Sequence, residues 1–93
     1  MALLSDPEIE LRLAETPAWR REGATIVRDL QLPDFAAAVA LVDRVAVAAE
    51  AANHHPDILL HGWNKLRLTL STHSQGGLTD ADFALARELD GLA

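Results

Sequence analysis

Two rhythms of apolar residues alternate along this chain, and the switches between them mark its elements. A period of two is cleanest over residues 65–72, where Leu66, Leu68 and Leu70 point one way and Lys65, Arg67, Thr69 and Ser71 the other. Such alternation predicts a half-buried strand whose leucine face packs on helices. The longest segment keeps a helical period instead. Phe35, Ala38, Val39, Val42, Val45, Ala46 and Ala49 recur at spacings of three and four. A helix opened by Pro33-Asp34 should therefore reach about Ala52 and lie on a sheet. Leu41 falls off that stripe and is assigned to a partner-facing position.

Punctuation residues supply the remaining elements. Ser5-Asp6-Pro7 starts a first helix through residues 8–14, which Thr16-Pro17 stops. Residues 18–32 predict two short strands, with Trp19 opening the first, Gly23 in the turn and the β-branched Thr25, Ile26 and Val27 in the second. Asn53-His54-His55-Pro56 breaks the long helix, residues 57–60 form a third strand, and His61-Gly62-Trp63-Asn64 makes a turn or bulge. Gly76-Gly77 is a permissive turn. Thr79 caps a last helix with an apolar face of Phe83, Leu85, Ala86 and Leu89, and Gly91 ends it. The order α-β-β-α-β-β-α predicts an α+β fold, a four-stranded antiparallel sheet with three helices packed on one face. Residues 1–93 carry no repeat or linker and form a single domain.

Charge and composition narrow the function. The chain has 93 residues, 14 acids against 8 bases and a net charge of −6. Its basic residues are scattered, which argues against direct nucleic-acid binding, since phosphates call for clustered Lys and Arg. Without cysteine there is no disulfide, thiolate nucleophile or Cys-based zinc site. No run approaches the ~18 apolar residues of a membrane helix. The first residues lack the basic and apolar regions of a signal peptide, so the expectation is a soluble cytoplasmic protein.

Chemistry concentrates in two segments, Asn53-His54-His55-Pro56-Asp57 and Ser71-Thr72-His73-Ser74-Gln75-Gly76-Gly77, which hold three of the four histidines. Imidazole exchanges protons near neutral pH, so this is a candidate acid/base site. Glu50 lies one helical turn before His54, and the two would meet if the helical path persists. Otherwise Glu50 is a solvated helix residue and the histidines are cations at a helix end. His73 leaves a strand, where active-site groups often gather. Asp82 could support it from the following helix, or simply serve as a helix-start charge. A metal is not expected: His54 and His55 are adjacent and diverge, and no His-x-His or His-x-x-x-His spacing occurs. His61 is read as a loop residue. Trp63 could stack on a flat heterocycle, while Trp19 suits core packing. With no nucleophile motif, phosphate loop or dinucleotide fingerprint, the residues fit dehydration, isomerisation or hydration of a small polar molecule.

Glu50-Ala51-Ala52-Asn53-His54-His55-Pro56, Trp63-Asn64-Lys65, Leu70-Ser71-Thr72-His73, Gly76-Gly77-Leu78-Thr79 and Asp82 together resemble the pterin-4a-carbinolamine dehydratase family. The resemblance covers the whole chain. It implies three helices on a four-stranded antiparallel sheet, a homodimer or homotetramer, and loss of water from 4a-hydroxytetrahydrobiopterin or a related pterin without a cofactor. In that family the reaction regenerates the pterin spent by aromatic amino-acid hydroxylases. Carried over, His54 and His73 are the acid/base pair, His55 binds or orients the pterin, Glu50 supports the cluster and Asp82 orients His73. Pro56 and Trp63 fall in the matching substrate-binding segments. Ile58 stands where many relatives carry an aromatic residue, and Trp63 replaces the usual Tyr. The spacer of residues 57–62 is one longer than in animal relatives, which predicts a bulge or an altered hairpin. The alternative is a non-catalytic protein-binding or assembly module on the same fold, because animal relatives also act as dimerisation cofactors for a homeodomain transcription factor.

Overall fold

The computed structural model describes residues 2–93. Its elements run α1 (Asp6–Glu15), β1 (Arg20–Glu22), β2 (Thr25–Gln31), α2 (Phe35–Ala52), β3 (Asp57–His61), β4 (Lys65–Leu70), a 3₁₀ turn (His73–Gln75) and α3 (Asp80–Asp90). The predicted order and class are both present. Local chemistry sets the boundaries. At α1 the Ser5 hydroxyl accepts from the Glu8 amide and the Glu8 carboxylate accepts from the Ser5 amide, a capping box that fills orphan donors. The Ser5 amide first, then its hydroxyl, holds the Glu8 carboxyl below its usual value.

The sheet is antiparallel throughout, in the order β1-β2-β4-β3. Register divides its faces. Ile26 opposes Leu70 and Leu30 opposes Leu66, with Ile58 opposite Leu68 on the other side. That face meets Leu41 and Val45 of α2 and Phe83, Leu85 and Leu89 of α3 in one buried core. Each fully buried Leu or Phe stabilises by ~1.5–3 kcal/mol relative to exposure. The opposite face carries charge: Asp29 accepts from Arg67 Nε at 2.8 Å and from Arg20 Nη1 at 2.9 Å. Arg67 above all, helped by Arg20, holds the Asp29 carboxyl below its usual value against the opposing cost of burial.

Trp19 is buried, and its indole N–H donates to Asp90 at 2.8 Å. Arg28 reaches the same carboxylate, so the end of α3 is tied to β2.

α2 sits on the sheet through part of the predicted stripe, Ala38, Val45 and Ala49 with half-buried Val42, but turned so that Leu41 joins it. Ala38, Leu41, Val45 and Ala49 are buried, whereas Phe35 is 55% exposed and Val39 and Ala46 also face outward. Leu41, assigned to a partner, is a core residue. The cause is composition: apart from Asp43, Arg44 and Glu50, every residue of α2 is apolar. Periodicity alone then leaves the edges of the inward face open, and in the fold Leu41 is buried while Phe35, Val39 and Ala46 are not.

The β3–β4 hairpin is altered at its turn rather than bulged. Its register runs without interruption from Asp57 opposite Thr69 to His61 opposite Lys65. In the loop, Gly62 (φ 55°) and Trp63 (φ 60°) are both left-handed. Buried Asn64 pins this loop, donating from its side-chain amide to Leu32 O at 3.0 Å and accepting the Leu32 amide at 2.8 Å.

Candidate active site

Three element ends meet where the site forms: the end of α2, the exit of β4 and the start of α3. α2 stops at Asn53, whose left-handed φ of 49° suits Asn as a helix C-cap. The next amide, His54 N–H, folds back to Ala49 O at 3.1 Å, which closes the helix end in a Schellman-type turn. That reversal swings His54 toward α3. At the start of α3, Thr79 caps the helix and Asp82 closes a capping box by accepting the Thr79 amide at 2.9 Å. An acid in such a box usually faces water. Asp82 is instead 0% exposed.

The buried carboxylate joins the two segments. Asp82 Oδ1 lies 2.6 Å from His54 Nε2, and Oδ2 accepts from the Thr72 hydroxyl at 2.8 Å. Thr72 and Thr79 hydroxyls are themselves 2.8 Å apart. A carboxylate only accepts, so His54 Nε2 carries the proton of this bond and Nδ1 of the neutral ring is left as an acceptor. His54 keeps just 15% of its side chain exposed. Its ring ends a groove of about 260 Å³ between α2 and α3, floored by Ala48, Ala52, Ala81 and Ala84, with Glu88 at its edge.

Two expected pairings are exchanged. Asp82 serves His54 rather than His73, because Thr72, Thr79 and His54 take its oxygens. Glu50 pairs with His55 rather than His54. The left-handed Asn53 breaks the helical path, so the spacing of four from Glu50 to His54 no longer brings the two together. The Glu50–His55 pair is exposed, while Pro56 is half-buried at the entry to β3. His73 opens the 3₁₀ turn, one residue beyond the buried Thr72, and is exposed.

Trp63 does not join the histidines within one chain. It sits at the far tip of the β3–β4 hairpin and is 63% exposed. The five residues of β3 put it about 17 Å away at ~3.4 Å per residue. The hairpin runs away from the site, so closeness in sequence to the HHP segment does not become closeness in space. His61 lies near that far end too, lining a cavity of about 410 Å³ on the charged sheet face with Asp29, Gln31, Lys65 and Arg67. Among the described residues no three His, Cys, Asp or Glu side chains converge on a metal position. No helix among them is long and apolar enough to cross a membrane.

Sequence reasoning missed Thr72, although a signal was there. Position 72 continues the inward series of Leu66, Leu68 and Leu70, so a hydroxyl there marks a buried polar network.

Comparison with known proteins fits this geometry. Residues 2–92 match the family model described as pterin 4 alpha carbinolamine dehydratase. A protein of Nocardia farcinica is 55% identical over 98% of this chain and 95% of its own length, and one of Roseiflexus castenholzii is 53% identical over 96% and 95%. The name both carry, pterin-4-alpha-carbinolamine dehydratase, is provisional. A crystal structure of a transcriptional coactivator/pterin dehydratase from Brucella melitensis superposes with a TM-score of 0.93 at 29% identity, covering 99% of each chain. A pterin dehydratase-like protein identified as a RuBisCO assembly factor in the α-carboxysome gives 0.70 at 26% identity, over 82% of this chain and 89% of that one. The chain belongs to the pterin-4-alpha-carbinolamine dehydratase family.

Proposed function

We propose that this chain dehydrates a 4a-hydroxytetrahydropterin, with 4a-hydroxytetrahydrobiopterin as the reference substrate, to the quinonoid dihydropterin and water. The observation that carries this is the buried Asp82–His54 pair, set one residue from His73 through Thr72. The C4a–O bond breaks, the oxygen leaves with the bonding pair and takes a proton, and a ring N–H gives up its proton. Atoms and electrons balance with two proton transfers. His54, working through Nδ1, and His73 share them, each worth ~10²- to 10⁴-fold when positioned. His55, oriented by Glu50, holds the pterin at the exposed rim. A hydroxylase that uses a tetrahydropterin would supply this substrate, so pterin recycling is the role that goes with this reading.

A second reading, partner binding or assembly, is favoured by apolar residues left outside the core: Phe35, Val39 and Val47 on α2, and Ile58 and Leu59 on the edge strand β3. A second copy is the proposed cover, since a strand edge is self-complementary and a domain this small gains core by pairing. Such a homo-oligomer is compatible with catalysis.

Stopped-flow dehydration of 4a-hydroxytetrahydropterin separates the two readings. Acceleration by the wild type that is largely lost in folded His73→Ala supports the enzyme. A folded wild type that does not exceed buffer overturns it. Partner capture that survives the double change His54→Ala, His73→Ala supports the binding module instead.

A further inference from the structure

We propose that Thr72 is the positioning residue shared by both imidazoles: its hydroxyl fixes Asp82, and through it His54, while its main chain anchors the turn that carries His73. The catalytic consequence rests on the dehydratase reading; the geometry stands without it.

Consider the side chain first. Asp82 is fully buried, and a carboxylate in that position must fill its lone pairs from protein donors. Its Oδ2 has two, the Thr79 amide at 2.9 Å and the Thr72 hydroxyl at 2.8 Å. These donors come from different elements, one from α3 itself and one from the β4 exit. A carboxylate held by one donor can swing in its broad terminal torsion. Held by two, its plane is set and Oδ1 points at His54 Nε2, 2.6 Å away. Thr72 has a single hydroxyl proton and gives it to Asp82. Toward the Thr79 hydroxyl, also at 2.8 Å, it can therefore only accept. The bonds run one way, Thr79 to Thr72 to Asp82, and each polarises the next.

The main chain of the same residue folds the His73 turn. Thr72 O accepts the amides of Gln75 and Gly76, both at 3.0 Å, and Thr72 N–H donates to Gly77 O at 2.8 Å. Gly76 closes the turn in the left-handed region at φ 72°. Position 72 is also the inward-facing continuation of the Leu66, Leu68, Leu70 series, where an apolar side chain would otherwise pack. A hydroxyl is explained there by what it bonds.

Two variants and one spectrum test this. Thr72→Val keeps the shape and removes the hydroxyl; Thr72→Ser keeps the hydroxyl. In stopped-flow dehydration, Thr72→Val should lower kcat about 10- to 100-fold, the worth of one hydrogen bond to a charged group, with KM within about twofold. Thr72→Ser should stay within about threefold of wild type, as the conservative rescue. Nitrogen-15 NMR of the His54 ring should show the neutral wild-type imidazole protonated on Nε2, with a mixture of tautomers in Thr72→Val and the wild-type form in Thr72→Ser. Unchanged kcat and tautomer in Thr72→Val overturn the proposal, as does a Thr72→Ser variant as impaired as Thr72→Val. If Thr72→Val fails to fold, the Ser variant and the wild-type ring decide, and a neutral His54 carrying its proton on Nδ1 overturns it. A folded wild type without turnover sinks the dehydratase reading instead, and the tautomer comparison still judges Thr72.

Discussion

Asp82 and Asp29 are both aspartates with several donors, placed on opposite sides of the same sheet. Asp82 is sealed among His54, Thr72 and the Thr79 amide. Asp29 lies between two guanidinium groups, Arg20 and Arg67, with 43% of its side chain exposed. On charge alone Asp29 is better served. Yet water and salt screen it, and exposed ion pairs contribute ~0–1 kcal/mol. Asp82 pairs with one ionisable side chain, His54, and being buried it has no water at hand to replace a bond that it loses. Burial, not the number of charges, decides which carboxylate can hold its partners in a fixed geometry.

The sharpest way to break this contrast is to remove what Asp82 orients. His54→Ala should lower kcat by about 10²- to 10⁴-fold in the dehydration assay, with the fold intact by circular dichroism. Loss of less than tenfold would mean that the buried carboxylate serves structure alone. Asp82→Asn comes next. The amide can turn its N–H₂ to His54, whose Nε2 then accepts and whose proton moves to Nδ1, so every bond is kept but none is charge-assisted. Unfolding in urea should show a loss of ~1–3 kcal/mol, the worth of hydrogen bonds to a charged group. Asp29→Asn should cost less than ~0.5 kcal/mol in the same titration and leave kcat unchanged. A larger cost for Asp29→Asn than for Asp82→Asn would invert the comparison.

Acid gives the smallest effect and a defined sign. The folded Asp29 carboxyl is held below its unfolded value by Arg67 and then Arg20. Its contribution is therefore complete above an unfolded pKa of about 3.9 and is lost as pH falls through the lower folded value. Below pH ~4 the wild type should lose a few tenths of a kcal/mol more than Asp29→Asn, a gap that 1 M salt closes.

How far the sequence carried the structure depends on whether a local rule was enough. Strand alternation at residues 65–70, the Ser5 and Thr79 caps and the Gly turns are short-range signals, and with the period of α2 they place the helices and strands, though not the 3₁₀ turn at His73–Gln75. The centre of α2's inward face, Ala38, Val45 and Ala49, was legible from spacing, but its edges were not, because almost every flanking residue of so apolar a helix could be buried. Partner exchange between Glu50, His54 and His55 starts at the end of α2. Asn53 leaves the helical conformation, and helix spacing stops predicting contacts one residue later. Trp63 shows the same limit at longer range: its neighbours in sequence lead to the site, but a hairpin carries it to the opposite end of the sheet. The candidate histidines themselves were legible by residue type; their partners required three dimensions.

One contact bears on how the protein should be handled. The Leu4 amide donates to Leu78 O at 2.9 Å, and a β-carbon placed on Gly77 would come within 3.0 Å of the Leu3 side chain. The amino-terminal tail is thus laid directly along the turn that presents His73. An affinity tag fused there, or a protease scar that trims residues 2–4, pulls on that turn without altering any histidine. Activities from amino-terminally tagged preparations should be checked against carboxy-terminally tagged ones before a weak rate is ascribed to the site.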